Sequence, residues 1–242
     1  MTGETTNDAT ALYPTELTSD ITSGDGTKLH VRAIRPDDAS GLIRFHEGLS
    51  ASSIYKRYFF AHPTLSELEV ERFTCVDNVD RLALVVEHGD MLVAVARYER
   101  TPHTNEAEIA FVIADQYQGH GIGSLLLERL ADAARARGIK RFLAYTLSEN
   151  TMMLEVFKES GFSLTTTREG ETVILRFPIE PDSKYRSSRK AHLARMKDRA
   201  PATGRPQVVT DKTSPVGSGS NNPFDPFATK GFVPVIESSH VD

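Results

Sequence analysis

Three glycines, at positions 119, 121 and 123, stand between an apolar run and an amphipathic pattern, and this junction constrains the fold most. The run Ala107–Ile113 is largely apolar and predicts a central strand. The apolar residues after the glycines recur at helical spacing and stop at Gly138, which predicts a helix. Glycine lets backbone N–H groups close on an anion, and a helix N-terminus adds partial positive charge. The junction therefore predicts a strand–loop–helix unit that binds a pyrophosphate.

Two other phosphate-binding loops do not fit this junction. A Walker-type loop ends in Gly-Lys-Ser/Thr, and no lysine stands at the corresponding position before Ser124. A dinucleotide fingerprint needs G-x-G-x-x-G after the first strand of its unit, whereas Leu126 occupies the third glycine position and three predicted strands precede the loop. Both alternatives are excluded.

The remaining hydrophobic patterns predict a strand, two helices, three strands, a helix, a strand, a helix and two strands, in that order. Such an order indicates an α/β fold with an antiparallel front half and a helix-connected back half of one mixed sheet. The predicted strands are Leu29–Arg35, Leu82–Val86, Leu92–Ala96, Ala107–Ile113, Arg141–Leu147, Phe162–Thr166 and Val173–Phe177.

Composition divides the chain into four segments. Residues 24–182 carry the periodic patterns and predict one globular domain, preceded by a flexible segment at 1–23. Residues 183–199 form a basic extension that can become a short helix, and residues 200–242, rich in Pro, Gly, Ser, Thr and Asn, predict a disordered tail.

Charge is distributed unevenly along the chain. Residues 1–182 hold 18 Lys and Arg against 28 Asp and Glu, whereas residues 183–199 hold 7 basic residues against Asp198 alone. An acidic domain repels nucleic acid, which argues against a nucleic-acid partner, although the basic extension can attract a polyanion.

Several partner classes and compartments are disfavoured by what the sequence lacks. It has no apolar run of membrane-spanning length and no basic-then-apolar start typical of a signal peptide. A single cysteine, Cys75, excludes an intrachain disulfide framework and fits a reducing cytosol. No Cys/His cluster has metal-ligand spacing. We therefore predict a cytoplasmic protein without a membrane partner or a metal.

The stretch Gln118-Gly119-His120-Gly121-Ile122-Gly123 matches an Arg/Gln-x-x-Gly-x-Gly/Ala signature. The chain resembles the GNAT superfamily of N-acetyltransferases in this signature and in the order of its elements. The resemblance covers roughly residues 28–177. The resemblance implies a mixed, mostly antiparallel sheet of six to seven strands flanked by about four helices. It also implies that the loop binds the pyrophosphate of acetyl-CoA, with backbone groups near Val112 and Ile113 holding the pantetheine arm.

A second block, Asn150-Thr151-Met152-Met153 followed by Gly161-Phe162, is similar to an Asn-led helix of the same family. Asn150 can simply cap that helix or can contact the pantetheine or thiol end of the cofactor. With this residue, the implied cofactor-binding set is Val112, Ile113, Gln118, Gly119, His120, Gly121, Ile122, Gly123, Ser124 and Asn150.

Glu108 is the predicted general base. Acetyl transfer needs a neutral amine, whereas a lysine has a pKa of about 10.4, so a base must remove a proton. A carboxylate in an apolar strand is paired or functional, because burying an unpaired charge is costly. The alternative is an exposed strand carboxylate or an ion pair with Arg97. Many family members have a tyrosine that protonates the departing thiolate where this chain has Phe157. Either the CoA thiolate leaves without a dedicated acid here, or another group protonates it.

Blocks such as Tyr58-Phe59-Phe60 and Ala107-Glu108-Ile109-Ala110 more narrowly resemble the GNAT module of bacterial protein lysine acetyltransferases. The leading hypothesis is therefore acetylation of lysine side chains on protein substrates, with acetyl-CoA as co-substrate. Two rivals stay open at this point. One is acetylation of a small amine, and the other is a catalytically silent acyl-CoA-binding regulator.

Overall fold

One eight-stranded sheet organises the protein in a computed structural model that describes residues 13–198, with side chains to residue 194. The strands lie in the order β1-β2-β3-β4-β5-β6-β8-β7, and every neighbouring pair is antiparallel except β5 and β6. The strands are β1 (Ser19–Thr22), β2 (Lys28–Ala33), β3 (Arg81–His88), β4 (Met91–Arg100), β5 (Glu106–Ile113), β6 (Arg141–Leu147), β7 (Thr165–Glu169) and β8 (Thr172–Pro178). The helices are α1 (Ala39–Glu47), α2 (Ala51–Tyr58), α3 (Glu67–Thr74), α4 (Ile122–Ala136), α5 (Thr151–Glu159) and α6 (Ser183–Asp198).

The mixed α/β fold and its mostly antiparallel sheet agree with the sequence prediction, but the sheet has eight strands instead of six or seven. The additional strand is β1, which pairs with β2 from Ser19↔Val31 to Thr22↔Lys28. It lies inside the segment 1–23 that was predicted to be flexible. The pattern missed it because its four residues contain one apolar side chain, Ile21, which packs into the core. Residues 1–12 and the predicted tail at 200–242 lie outside the described residues.

The described residues contain six α-helices, two more than expected. Helix α2 lies between the two helices that the pattern predicts after the first strand, and it ends at the aromatic residues Tyr58 and Phe59. Its N-cap Ser50 accepts a hydrogen bond from the N–H of Ser53 at 3.1 Å, and Phe59 ends it in a left-handed conformation with φ of 66°. The sixth helix, α6, is the basic extension. None of the helices within residues 13–198 is long and apolar enough to cross a membrane.

The two faces of the sheet bury separate apolar clusters. One packs under α4 and α5 and includes Leu126, Leu130 and Phe157, while the other packs under α1–α3 and includes Phe45 and Phe73. Strand β5 takes part in both because its residues alternate between the faces. Its Ile109 and Phe111 belong to the first cluster, whereas Val112 packs against the second.

Strands β5 and β6 separate halfway along their length. Their parallel pairing runs from Glu106↔Arg141 to Ile109↔Ala144 and ends there. Strand β6 continues in register with β8 as far as Leu147, while β5 continues with β4 as far as Ile113. Among the strands of residues 13–198, none pairs with the second half of β5 on its β6 side, which opens a wedge in the middle of the sheet.

Candidate functional site

The glycine loop follows β5 and presents backbone N–H groups to the wedge. Gly119 and Gly121 adopt φ of 76° and 82°, a left-handed region that L side chains rarely enter, and Gly121 is the N-cap of α4. Within the described part of the chain, the N–H groups from Gly119 to Ser124 have no protein acceptor, and the first N–H bond of α4 runs from Leu125 to the Gly121 carbonyl. Unpaired N–H groups at a helix N-terminus are a typical anion-binding arrangement, and the N–H groups from Gly119 to Ser124 are termed the anion cradle.

Gly123 is a glycine for a different reason. It lies inside the first turn of α4, where a Cβ would meet Val156 Cγ2 at 3.3 Å and Ile113 Cδ1 at 3.5 Å. Glycine at this position lets α4, α5 and the end of β5 approach one another closely. At Gly119, by contrast, a Cβ would meet no protein atom within 4 Å, so its positive φ is what requires glycine there.

A cavity of about 520 Å³ extends from the wedge across the glycine loop, and its volume is in the range of small-molecule sites. All ten residues predicted to bind the cofactor line it: Val112, Ile113, Gln118, Gly119, His120, Gly121, Ile122, Gly123, Ser124 and Asn150. Sequence reasoning missed the wall made by other elements, among them Gly24, Ser53, Lys56, Arg57, Met152, Glu155, Val156, Glu159 and His192. No local motif marks these residues, since distant elements bring them to the cavity.

Hydrogen bonds of the Gln118 and Asp115 side chains hold the loop in place. The amide nitrogen of Gln118 donates to the carbonyl oxygen of Ile113 at 2.9 Å and to Ser53 Oγ at 3.0 Å. Asp115 accepts from Ser50 Oγ at 2.6 Å and from Ser53 Oγ at 2.9 Å. Burial acts to raise the pKa of Asp115, but these hydrogen bonds outweigh it and lower the pKa below its usual value. Helix α2 and the loop are therefore joined through the side chains of both Asp115 and Gln118.

The turn between β1 and β2 supports the loop from the opposite side. The N–H of Gly24 donates to the His120 carbonyl at 2.8 Å, and His120 Nδ1 lies 3.8 Å from the Asp25 carboxylate. Burial acts to raise the pKa of Asp25, but hydrogen bonds from Ser23 and Thr27 outweigh it and lower the pKa to about 2. The segment that was predicted to be flexible up to residue 23 thus leads directly into a support of the cofactor loop.

Asn150 caps a helix, as one of the two sequence interpretations predicted, and it also lies at the cavity. Its Oδ1 accepts from the N–H of Met153 at 3.4 Å and caps α5. The same residue lines the large cavity, and it also lines a smaller one beside it.

Glu108 lies in this smaller cavity of about 40 Å³, at the point where β5 and β6 separate. The two cavities share Lys56, Arg57, Phe111, Asn150 and Met153, so Glu108 is next to the cofactor cavity without lining it. Tyr145 lines the same small cavity, and burial, together with the nearby Glu108 carboxylate, raises the pKa of its phenol. Phe157, at the position of the family's tyrosine, is 1% exposed and packs edge-to-face against Phe111.

Arg97, the alternative ion-pair partner of Glu108, stacks its guanidinium over the Phe73 ring at 3.8 Å from the centroid. It lies opposite Ala110 in the β4–β5 register, whereas Glu108 lies opposite Glu99. Within residues 13–198, no three His, Cys, Asp or Glu side chains are grouped so that they could hold a metal ion.

Comparison with known proteins identifies the class. Residues 49–162 match the Acetyltransferase (GNAT) family. The crystal structure of the GNAT domain of S. lividans PAT is 40% identical, with a TM-score of 0.65, and the match covers 69% of this chain and 99% of that domain. The chain is also 31% identical over 140 residues to Acetyltransferase Pat of Mycolicibacterium smegmatis. That match covers 56% of this chain and 41% of the relative, so the chain spans less than half of Pat.

The fold alone is shared with yncA of Salmonella typhimurium, whose structure holds its cofactor acetyl-CoA. That chain is 15% identical, with a TM-score of 0.54, and the match covers 64% of this chain and 96% of yncA. From these matches, the chain belongs to the GNAT family of acetyltransferases.

Proposed function

We propose that the protein transfers the acetyl group of acetyl-CoA to the side chains of lysines in target proteins, with Glu108 as general base. The observation that carries this proposal is the position of Glu108 in the small cavity that adjoins the cofactor cavity where β5 and β6 part. A thioester that follows the wedge from the anion cradle reaches the residues that both cavities share. An amine that enters from the Glu108 side then meets the acyl carbon.

The proposed reaction is direct. Glu108 accepts a proton from the lysine ammonium, directly or through a water molecule, and the neutral Nζ attacks the thioester carbonyl carbon. The C–N bond forms, the C–S bond breaks, and the CoA thiolate leaves, while the second proton of the amine passes from nitrogen to the thiolate, directly or through water. A thiol pKa near 8.5 makes the thiolate a tolerable leaving group, so the chemistry does not require a tyrosine at Phe157.

We propose that the pyrophosphate of acetyl-CoA is bound by the N–H groups from Gly119 to Ser124 and that the pantetheine arm runs along Val112 and Ile113. The positive φ of the loop glycines and the end of the β5–β6 pairing support this assignment. Protein lysine as the acceptor is supported by the similarity to the S. lividans PAT domain and to Pat. We place the reaction in the cytoplasm, where a chain with one cysteine stays reduced.

The test measures CoA thiol release and acetyl-lysine formation with a whole-proteome extract as acceptor. For Glu108→Gln, we expect a rate loss of about 10²–10⁴-fold with an unchanged dissociation constant for acetyl-CoA, because only the proton acceptor is removed. Glu106→Gln is the matched control. Glu106 lies on the same strand and sheet face, forms an ion pair with Arg141 and lines neither cavity, so its rate should stay close to wild type.

Three outcomes would contradict the proposal in different ways. Equal rates for wild type and Glu108→Gln would remove Glu108 from the mechanism. Turnover with small amines and none with proteins would replace the acceptor class. Acetyl-CoA binding without turnover on either would show that the protein acts as a silent acyl-CoA sensor.

A further inference from the structure

Helix α6 packs against the body of the domain and lies outside the residues that match the family. Asp182 caps its first turn by accepting from the N–H of Tyr185 at 2.8 Å. The Tyr185 ring is 1% exposed and stacks on Phe162 at a centroid distance of 4.5 Å. One turn later, Arg189 forms an ion pair with Asp132 of α4 at 2.9 Å. These contacts set the helix against α4 and bring its next turn to the cavity.

His192 occupies that turn and is 8% exposed. Its Nδ1 lies 3.0 Å from a carboxylate oxygen of Glu128, which is itself 7% exposed. Arg189 lies 3.5 Å from the other carboxylate oxygen of Glu128. A buried carboxylate that engages Nδ1 orients the ring, and Nε2 is left to accept a hydrogen bond in the neutral form or to donate one in the protonated form.

The Nε2 atom of His192 is buried and has no hydrogen-bond partner among the described residues. A buried polar atom without a partner destabilises the protein, and such atoms in native structures call for an explanation. His192 lines the same cavity as the glycine loop, so a ligand in this cavity can supply the missing partner.

The position of His192 indicates which part of acetyl-CoA can supply the hydrogen-bond partner of Nε2. Glu128, the partner of its Nδ1, lies four residues beyond Ser124 along α4, whereas the small cavity that Glu108 lines is not lined by His192. From the anion cradle, acetyl-CoA must extend in two directions, with the thioester toward Glu108. The nucleotide then lies on the side of His192.

We propose that α6 is a wall of the cofactor site and that His192 binds the nucleotide part of acetyl-CoA through Nε2. Glu128 acts as the positioning residue that holds the ring. This inference rests on the proposed orientation of acetyl-CoA, since it requires the thioester at the Glu108 end. The basic extension of the chain would thus contribute directly to cofactor affinity.

The experiment measures dissociation constants by calorimetry with the full chain, using acetyl-CoA and acetyl-pantetheine, which lacks the nucleotide. His192→Asn keeps a polar group at the Nδ1 position but loses Nε2, and we expect the acetyl-CoA constant to rise by about three- to tenfold. His192→Gln keeps a polar group near the Nε2 position and should stay within about twofold of wild type. Acetyl-pantetheine should bind both variants and wild type equally.

A role for His192 in anchoring α6 alone predicts the reverse order, because Asn retains the contact with Glu128 and Gln does not. Three results would overturn the inference. They are this reverse order, equal acetyl-CoA dissociation constants for wild type and both variants, and a loss of acetyl-pantetheine affinity as large as the loss of acetyl-CoA affinity. The readout is binding, so a protein that shows the expected order yet acetylates no protein contradicts the proposed function alone. A wild type that binds no acetyl-CoA contradicts both.

Discussion

The side-chain amide of Gln118 donates to the carbonyl oxygen of Ile113 at 2.9 Å, which joins the start of the glycine loop to the end of β5. The same nitrogen donates to Ser53 of α2 at 3.0 Å. A single side chain thus connects the loop, the strand and a helix from the other half of the fold. These hydrogen bonds hold the loop in one conformation, and preorganisation of this kind increases affinity for a ligand.

Removing the two hydrogen bonds of the Gln118 side chain should weaken binding of acetyl-CoA. For Gln118→Ala, we expect the dissociation constant of acetyl-CoA to rise by about tenfold, since two hydrogen bonds of about 0.5–1.5 kcal/mol each are lost. Calorimetric titration measures the change. Gln116→Ala is the control, because Gln116 is exposed two residues earlier and does not line the cavity. An equal rise in the dissociation constant for both substitutions would show that the hydrogen bonds of Gln118 have no specific role in binding.

Asp25, in the turn that contacts His120, should make the free energy of unfolding depend on pH in the acidic range. The pKa of Asp25 is about 2 in the folded protein against 3.8 ordinarily, so its carboxylate stabilises the fold above pH about 4. That contribution should be lost as the pH falls from about 4 toward 2. We therefore expect wild type and Asp25→Asn to differ in free energy of unfolding by a constant amount above pH 4 and to converge below it.

Urea denaturation at a series of pH values measures this convergence. Ser23→Ala provides the control, since Ser23 Oγ donates to the Asp25 carboxylate at 2.6 Å and its removal should move the transition to higher pH. A difference between wild type and Asp25→Asn that is independent of pH would contradict the assignment.

The contact of α6 with the domain should depend on Gly161. This glycine has φ of 83°, and a Cβ would lie 2.6 Å from Ser188 Oγ and 2.9 Å from the Cα of Tyr185. Gly161→Ala should therefore cost about 1–2 kcal/mol for the left-handed conformation and a further 1–3 kcal/mol for the collision with α6. Denaturant titration measures the loss.

Gly138→Ala separates the two causes. Gly138 has φ of 78° at the end of α4, but a Cβ there would meet nothing within 4 Å. We expect only the conformational cost of about 1–2 kcal/mol at this position. If both substitutions cost the same, α6 does not pack on Gly161 in solution.

Most of the central fold could be predicted from the sequence because its elements have strong local patterns. The apolar run of β5 and the helical spacing of α4 are readable within a few residues, and so is the glycine loop between them. Strand β1 and helix α2 escaped prediction because their signals are weak. Ser19–Thr22 contains a single apolar side chain, and the aromatic residues at the end of α2 suit several conformations.

The residues of the candidate site likewise divide into those that the sequence could predict and those that it could not. Asn150 could be named from its place before an amphipathic helix, and Glu108 from its place in an apolar strand. His192 and Lys56 could not be named, since basic residues in polar surroundings are most often solvated. Nothing near them in the sequence indicates that they face the glycine loop.

What the sequence determined by itself is therefore local: where the chain must turn with positive φ at Gly119 and Gly121, and which strand leads into that turn. These properties depend on backbone sterics and on side-chain periodicity within one element. Only the tertiary structure decided that β5 and β6 part after Ile109, and that Glu128 meets His192 across 64 residues of chain. The physical reason is that strand pairing and helix docking depend on the free energy of burying whole faces together, which no single segment encodes.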